Sequence, residues 1–191
     1  LYGHALLIAG CYGMTGAAIL AARSCLRSGT GLLTTHLPAK CYDIAQTALP
    51  ESIFSIDKHA EVFSGITNIS KYSAVGVGPG LGTSDESTSG LLNLLKSCSI
   101  PLVLDADALN ILSAHPEYLA QLPENTILTP HPGEFDRLFG KSDGGMKRNT
   151  LQIQKSKELK VIIILKGAFS SITLPDGTCY FNSTGNPGMA T

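Results

Sequence analysis

The sequence predicts an α/β fold in three layers, with a mostly parallel central sheet and helices on both faces. Three observations predict it. Short apolar runs alternate with helix-period segments along all 191 residues. The runs lack the alternation of a strand wetted on one side, so they read as strands buried on both faces. Almost every run ends in glycine or in a polar cluster, and an open parallel sheet gathers such ends on one ligand-binding edge.

The elements follow in order. Residues 5–9 form the first strand, and a glycine loop runs from it through Gly16. Residues 17–28 are small and apolar and form a helix packed closely on the sheet. Residues 32–36 are the next strand; a softer region follows, with a short strand at 53–56. The strand at 74–77 ends in Gly78-Pro79-Gly80-Leu81-Gly82. A helix covers 86–98, with Ser84 or Asp85 as its N-cap. The strand at 102–104 ends at Asp105-Ala106-Asp107, before a short helix at 108–112. The strand at 126–128 runs into Thr129-Pro130-His131-Pro132-Gly133-Glu134 and a helix at 135–139. The polar stretch 141–149 reads as a surface loop, and 147–159 as a helix. The strand at 161–165 ends in Lys166-Gly167. Strands at 171–174 and 179–182 flank Pro175-Asp176-Gly177, a hairpin with a tight turn.

Composition sets the limits. The chain is 43% hydrophobic and 15% charged, against about 25% charged in an average soluble domain. That excludes intrinsic disorder. A net charge of -1 leaves no basic footprint, so no nucleic-acid partner is expected. No apolar run approaches the roughly 18 residues of a membrane span, so no membrane partner is expected either. Cys11, Cys25, Cys41, Cys98 and Cys179 form no CxxC pair, which argues against a zinc site or a disulfide framework. Scattered free thiols fit a reducing compartment, and a cytoplasmic location is expected. No secretory leader is read at the start. The length suits a single domain over 1–191 with its own core. The chain opens on Leu1 and closes on Gly188-Met189-Ala190-Thr191, a turn-rich stretch that normally leads into another element. A piece of a longer protein is therefore expected.

The strand-end motifs carry the chemistry. Residues 10–16 read GxxGxxG before a helix, where glycines let a pyrophosphate approach the helix N-terminus. A dinucleotide fold would also want an acid at the end of the second strand, which instead ends Thr34-Thr35-His36. The loop reads as a cover over a substrate, or as a turn that lets the helix pack tightly. The 78–82 loop could ring a phosphate with backbone N–H groups, or simply bend. Asp105 and Asp107 suit magnesium or a polar ligand, with Asp107 also a candidate helix cap. His131, stiffened between two prolines, could bind a ligand or move a proton; it could also bond within its own turn. Glu134 fits a first-turn partner of the helix dipole or a metal ligand through water. Lys166 points an ammonium at the ligand edge for phosphate, or snorkels to solvent.

Six motifs in order carry a family resemblance: GCYGMTGAAILAARSCLRSGTGLLT at 10–34, VGVGPGLG at 75–82, LVLDADALN at 102–110, ILTPHPGEFDRL at 127–138, LKGAFSSI at 165–172 and NSTGNPGMAT at 182–191. The chain resembles the ADP/ATP-dependent NAD(P)H-hydrate dehydratases, a carbohydrate-kinase-like family. The resemblance implies a ribokinase-like fold. It implies a lyase that repairs the hydrated dinucleotides NADHX and NADPHX, using ADP or ATP with Mg2+. The 6-hydroxyl is phosphorylated and phosphate is then eliminated. Ala17, Gly82 and His131 are implied to contact the hydrated dinucleotide, and Lys166, Gly167, Ala168, Phe169 and Ser170 the adenine nucleotide. Asp105 and Asn110 are implied to support these residues, and no metal ligands are assigned. In the family a GGSGD-type loop follows NPGMAT, so the catalytic Asp is expected beyond Thr191, with no catalytic residue inside the chain. Residues 1–191 alone are then expected to be inactive and to leave apolar sheet surface exposed. An NAD(P)HX epimerase, fused or separate, and a homo-oligomer such as a tetramer are the expected partners. Two other readings use the same loops: a ribokinase-like kinase of a vitamin-precursor alcohol, and a non-catalytic nucleotide-binding module. Free phosphate as product separates the dehydratase from the kinase.

Overall fold

A computed structural model describes residues 3–184. Within them nine strands form one sheet: β1 His4–Ile8, β2 Leu32–Leu37, β3 Ile53–Ile56, β4 Ala74–Val77, β5 Leu102–Leu104, β6 Ile127–Leu128, β7 Ile162–Leu165, β8 Ser170–Thr173 and β9 Cys179–Asn182. Their order is β3-β2-β1-β4-β5-β6-β7-β8-β9. The strands β1 to β7 pair in parallel, and β8 and β9 add an antiparallel hairpin at one edge. The helices are α1 Thr15–Arg27, α2 Tyr42–Ala48, α3 Asp85–Ser97, α4 Asp107–Ala114, α5 Pro132–Phe139 and α6 Gly145–Leu159. The expected α/β architecture is present.

Alternation along the strands sets the layers. Leu6 and Ile8 of β1, Val75 and Val77 of β4, Leu102 and Leu104 of β5, and Ile163 of β7 all face one way into the main core. There they meet Leu91, Leu94 and Leu95 of α3, Leu109 and Leu112 of α4, and Phe135 and Leu138 of α5. The opposite side chains, Ala5 and Leu7 of β1, pack with Leu33, Leu49 and Ala22 in a smaller cluster under α1. Ala18 and Ala22 are the buried face of α1, and their small size draws the helix onto the sheet. Helix α3 starts where Ser84 accepts a hydrogen bond from the Ser87 N–H, so Ser84 rather than Asp85 is the cap.

Leu7, Gly76, Val103, Ile127 and Ile162 lie side by side in register across β1, β4, β5, β6 and β7. This row faces away from the main core. Val103, on an inner strand, is 39% exposed. The other members of the row are half-buried.

Two departures concern helices. The softer region holds a 3-10 turn at Ala39–Cys41 and then α2. The stretch 141–149 is not all surface loop, because α6 begins at Gly145. Among the described residues no helix is long and apolar enough to cross a membrane. All five cysteines are free thiols.

Candidate active site

The strand order reverses at β1, with β2 on one side and β4 on the other. Such a switch point opens a crevice at the carboxyl ends of the strands. The two glycine loops meet there. Gly10 N–H donates to the Pro79 carbonyl at 2.8 Å. A Cβ on Gly80 would lie 2.8 Å from the Ala17 Cβ and 3.0 Å from the Met14 carbonyl oxygen. A Cβ on Gly78 would lie 1.9 Å from the Asp105 carbonyl oxygen. Gly78 and Gly80 are therefore required by the close approach of two neighbouring chain segments, whereas Gly82 meets only Cys11 Sγ at 3.7 Å.

That packing changes the reading of the loop's amides. Gly78 N–H donates to Ile8 O at 3.1 Å, Leu81 N–H to Gly78 O at 3.0 Å and Gly82 N–H to Asp107 Oδ2 at 2.9 Å. Three of the loop's four N–H groups are satisfied inside the protein, so the loop is no open ring of donors for pyrophosphate. Asp107 is the first residue of α4, and the cap position belongs to Ala106 at φ 50°. Its carboxylate holds Gly82, and its other oxygen accepts from Asn110 Nδ2 at 3.2 Å. Asn110 Oδ1 in turn accepts from Arg137 at 2.9 Å.

The next strand ends join the same network. Lys166, just past β7, donates through Nζ to Asp105 Oδ1 at 2.6 Å. Its backbone N–H donates to the Pro130 carbonyl at 2.9 Å. The Lys166 ammonium is thus tied across the edge to β5 and remains half-exposed. His131 caps α5: Nδ1 accepts from the Gly133 and Glu134 N–H groups at 3.0 and 3.3 Å, and Glu134 Oε2 accepts from the His131 N–H at 2.8 Å. With Nδ1 as acceptor, the proton of the neutral ring sits on Nε2, which is half-exposed at the edge and lies 3.5 Å from Glu134 Oε1. Glu134 closes the capping box.

The cap makes a direct prediction. His131→Ala should destabilise the protein by about 1 kcal/mol, while His131→Asn, which keeps an accepting oxygen, should stay within a few tenths. Urea midpoints measure both. Equal losses in the two variants would remove the capping account.

One cluster was not found from the sequence. His36, at the end of β2, is buried; its Nδ1 lies 3.0 Å from Ser55 Oγ and its Nε2 3.0 Å from Asp57 Oδ2. Asp57 also accepts from the N–H groups of His59 and Ser64 and from the Ser64 hydroxyl. Burial would raise the Asp57 carboxyl, but these donors outweigh it and hold the group below the usual carboxylate value. The segment so anchored touches the first glycine loop, because the Glu61 carbonyl accepts from Tyr12 N–H at 2.7 Å. A histidine inside a buried strand demands a partner, and that was the available signal. Cys11, in the same loop, is a poor nucleophile: burial, then Cys41 and Asp107, push its thiol up.

The sequence-predicted residues fall along one edge. Ala17 and Gly82 flank the contact between the two glycine loops. His131 and Lys166 sit together through Pro130. Lys166, Gly167 and Phe169 line one cavity of about 310 Å³; Ala168 lies between them and Ser170 opens β8. Ala17 and the 166–170 segment are not brought together. They follow β1 and β7, with β4, β5 and β6 between, a span of about 19 Å at the usual strand spacing. Among the described residues no group of three or more His, Cys, Asp or Glu side chains could hold a metal ion. Residues 185–191, which carry most of the sixth motif, lie outside the described residues.

Comparison with known proteins gives the family and the fold. Residues 5–191 match the family described as NAD(P)H-hydrate dehydratase. The bifunctional NAD(P)H-hydrate repair enzyme of Moorella thermoacetica is 35% identical over the whole chain, which spans 38% of that relative's length. The crystal structure of the ADP/ATP-dependent NAD(P)H-hydrate dehydratase of Bacillus subtilis, co-crystallised with ATP/Mg2+, superposes with a TM-score of 0.80 at 32% identity. It covers all of this chain and 67% of its own. A ribokinase-like superfamily protein of Enterococcus faecalis gives a TM-score of 0.84 at 26% identity, over all of this chain and 66% of its own. The fold is ribokinase-like, and this chain belongs to the NAD(P)H-hydrate dehydratase family.

Proposed function

We propose that this chain carries the nucleotide-dependent dehydratase activity that returns NADHX and NADPHX to NADH and NADPH. One observation carries the reading: five adjacent parallel strands deliver Ala17, Gly82, His131 and the Lys166–Ser170 segment to a single edge, linked through Asp105, Asp107 and Pro130. An extended dinucleotide fits along such an edge, with a nucleotide at the β7 end.

The chemistry is phosphoryl transfer followed by elimination. The 6-hydroxyl gives its proton to a base, for which the family resemblance offers the Asp expected beyond Thr191, as its oxygen attacks the terminal phosphorus of the nucleotide and the shorter nucleotide departs. Loss of phosphate from C6, pushed by the ring nitrogen, and of a proton from C5 restores the ring double bond. Phosphorylation turns a poor leaving group into a good one. The described residues position the reactants: Asp107 fixes the Gly82 backbone, the capping box fixes the His131 ring, and the Asp105–Lys166 pair fixes the start of the nucleotide segment. Magnesium has no dedicated cage among them, since Asp105 is bound to Lys166 and Asp107 to Gly82 and Asn110. The fit is to a cation held by the nucleotide's own phosphates. The bifunctional relatives support an NAD(P)HX epimerase as the partner activity. The kinase alternative loses ground, because the Moorella and Bacillus relatives, at 35% and 32% identity over the whole chain, carry NAD(P)H-hydrate repair and dehydratase names.

The test uses the full-length protein carrying this chain, with hydrated NADH, magnesium, and ADP or ATP in turn. Return of the near-ultraviolet absorbance of reduced nicotinamide, with stoichiometric free phosphate, is the expected result, and the productive nucleotide identifies the donor. Nucleotide binding without any recovery would overturn the reading in favour of another substrate or a binding-only role. His131→Asn, with its cap retained, should raise KM for the hydrated dinucleotide and leave KM for the nucleotide unchanged.

A further inference from the structure

Of the six phenylalanines, Phe63 and Phe135 are fully buried and Phe54 and Phe139 half-buried. Only Phe169 and Phe181 are exposed, at 68% and 65%. Both line the same cavity of about 310 Å³. They reach it from different elements: Phe169 from the loop after β7, and Phe181 from the edge strand β9.

Register explains how Phe181 arrives there. It pairs with Ser171 of β8, which pairs with Leu165 of β7, so these three side chains form a row on one face. Leu165 and Ser171 are buried, and Phe181 stands at the open end of the row. The far wall is the start of α6, with Arg148 and Asn149. Arg148 is already held by Asp136 through two hydrogen bonds of 2.9 Å. It closes the wall and offers no free charge for phosphate. The cavity therefore has two phenylalanines on one side, a neutralised wall opposite, and at its rim the half-exposed Lys166 ammonium, which also holds Asp105.

Such a slot suits a flat, uncharged heteroaromatic ring that continues into an anionic tail. We propose that Phe181, with Phe169, is the platform on which the purine of the nucleotide stacks, its phosphates leading away past Lys166. The proposal rests on the nucleotide-dependent reading above, and it adds the residue on which the base rests.

This chain contains no tryptophan, so Phe181→Trp places a lone reporter in it. Emission of Phe181→Trp, minus that of the parent protein, should fall on titration with ADP or ATP and not with tripolyphosphate. Calorimetry should show ADP binding weakened roughly ten- to a hundred-fold in Phe181→Ala, in the range of base–aromatic stacking, and weakened likewise in Phe181→Leu. Phe181→Tyr should retain affinity, and KM for the hydrated dinucleotide should not move in any of them. Phe181 is 65% exposed, and Phe181→Leu keeps an apolar side chain there while removing the ring, so it separates loss of stacking from loss of folding. Parent-like ADP affinity in Phe181→Ala, with unmoved emission in Phe181→Trp, would overturn the platform and leave the dehydratase reading intact. Failure of the parent protein itself to bind either nucleotide would overturn both.

Discussion

Gly78→Ala is expected to destabilise the protein by about 3 kcal/mol or more, a loss reserved for strained or overpacked sites. Two terms add. The backbone sits at φ +130°, where L side chains are disfavoured. The new methyl would also lie 1.9 Å from the Asp105 carbonyl oxygen and 3.0 Å from the Ala108 Cβ. The nearest obstacle is backbone, so no side chain can swing aside. The ends of β4 and β5 would have to separate, and with them the Gly82–Asp107 and Asp105–Lys166 links. Gly82→Ala is the control. It has a positive φ of +74°, but its nearest neighbour is Cys11 Sγ at 3.7 Å, an ordinary contact. It should lose only the conformational term, about 1–2 kcal/mol. Urea midpoints of the two variants, compared with the parent, decide the matter. Equal losses would show that conformation alone, and not the approach of β5, requires glycine at 78.

The same pair shows what sequence reading reaches here and where it stops. The strands at 74–77 and 102–104 match β4 and β5 residue for residue, because an inner parallel strand leaves a short apolar run between turn formers; the strand at 53–56 matches β3 as well, although that edge strand is half-exposed. Their special ends were legible too, as was the edge they share. The use of those ends was less so. Gly78-Pro79-Gly80-Leu81-Gly82 looked like a phosphate ring, yet Gly78 and Gly80 answer to Asp105 and Ala17, whose proximity depends on strand order. Asp107 looked like a cap, yet it reaches back 25 residues to Gly82. The pairing of Asp105 with Lys166 spans 61 residues. Helix α2 went unseen because Tyr42–Ala48 is too short for its periodicity to stand out, and it forms against α1 and β3. Local chemistry was visible; partners set by topology were not.

Asp57 is the sharpest case of such a partner, and its removal is the second large effect expected. Its side chain is fully buried, and that of His36 almost so. Asp57→Ala would strand the His36 ring and the Ser64 hydroxyl together with the His59 and Ser64 N–H groups, which predicts a loss of about 3–5 kcal/mol. Asp57→Asn keeps the shape but gives up the charge, and should lose less. The pH dependence follows from the depressed carboxyl. Its stabilisation is complete above the unfolded value of about 4 and disappears as pH falls through the lower folded value. The stability gap between the parent protein and Asp57→Asn should therefore be constant near neutrality and shrink in acid. A gap that widened below pH of about 4 would mean that Asp57 folds protonated, and the donor count around it would then be wrong. Activity should fall along with stability for a mechanical reason. Asp57 anchors the segment whose Glu61 carbonyl holds Tyr12, and Tyr12 belongs to the glycine loop beside Ala17. Release of that anchor should raise KM for the hydrated dinucleotide while leaving nucleotide affinity, set at β7 to β9, unchanged.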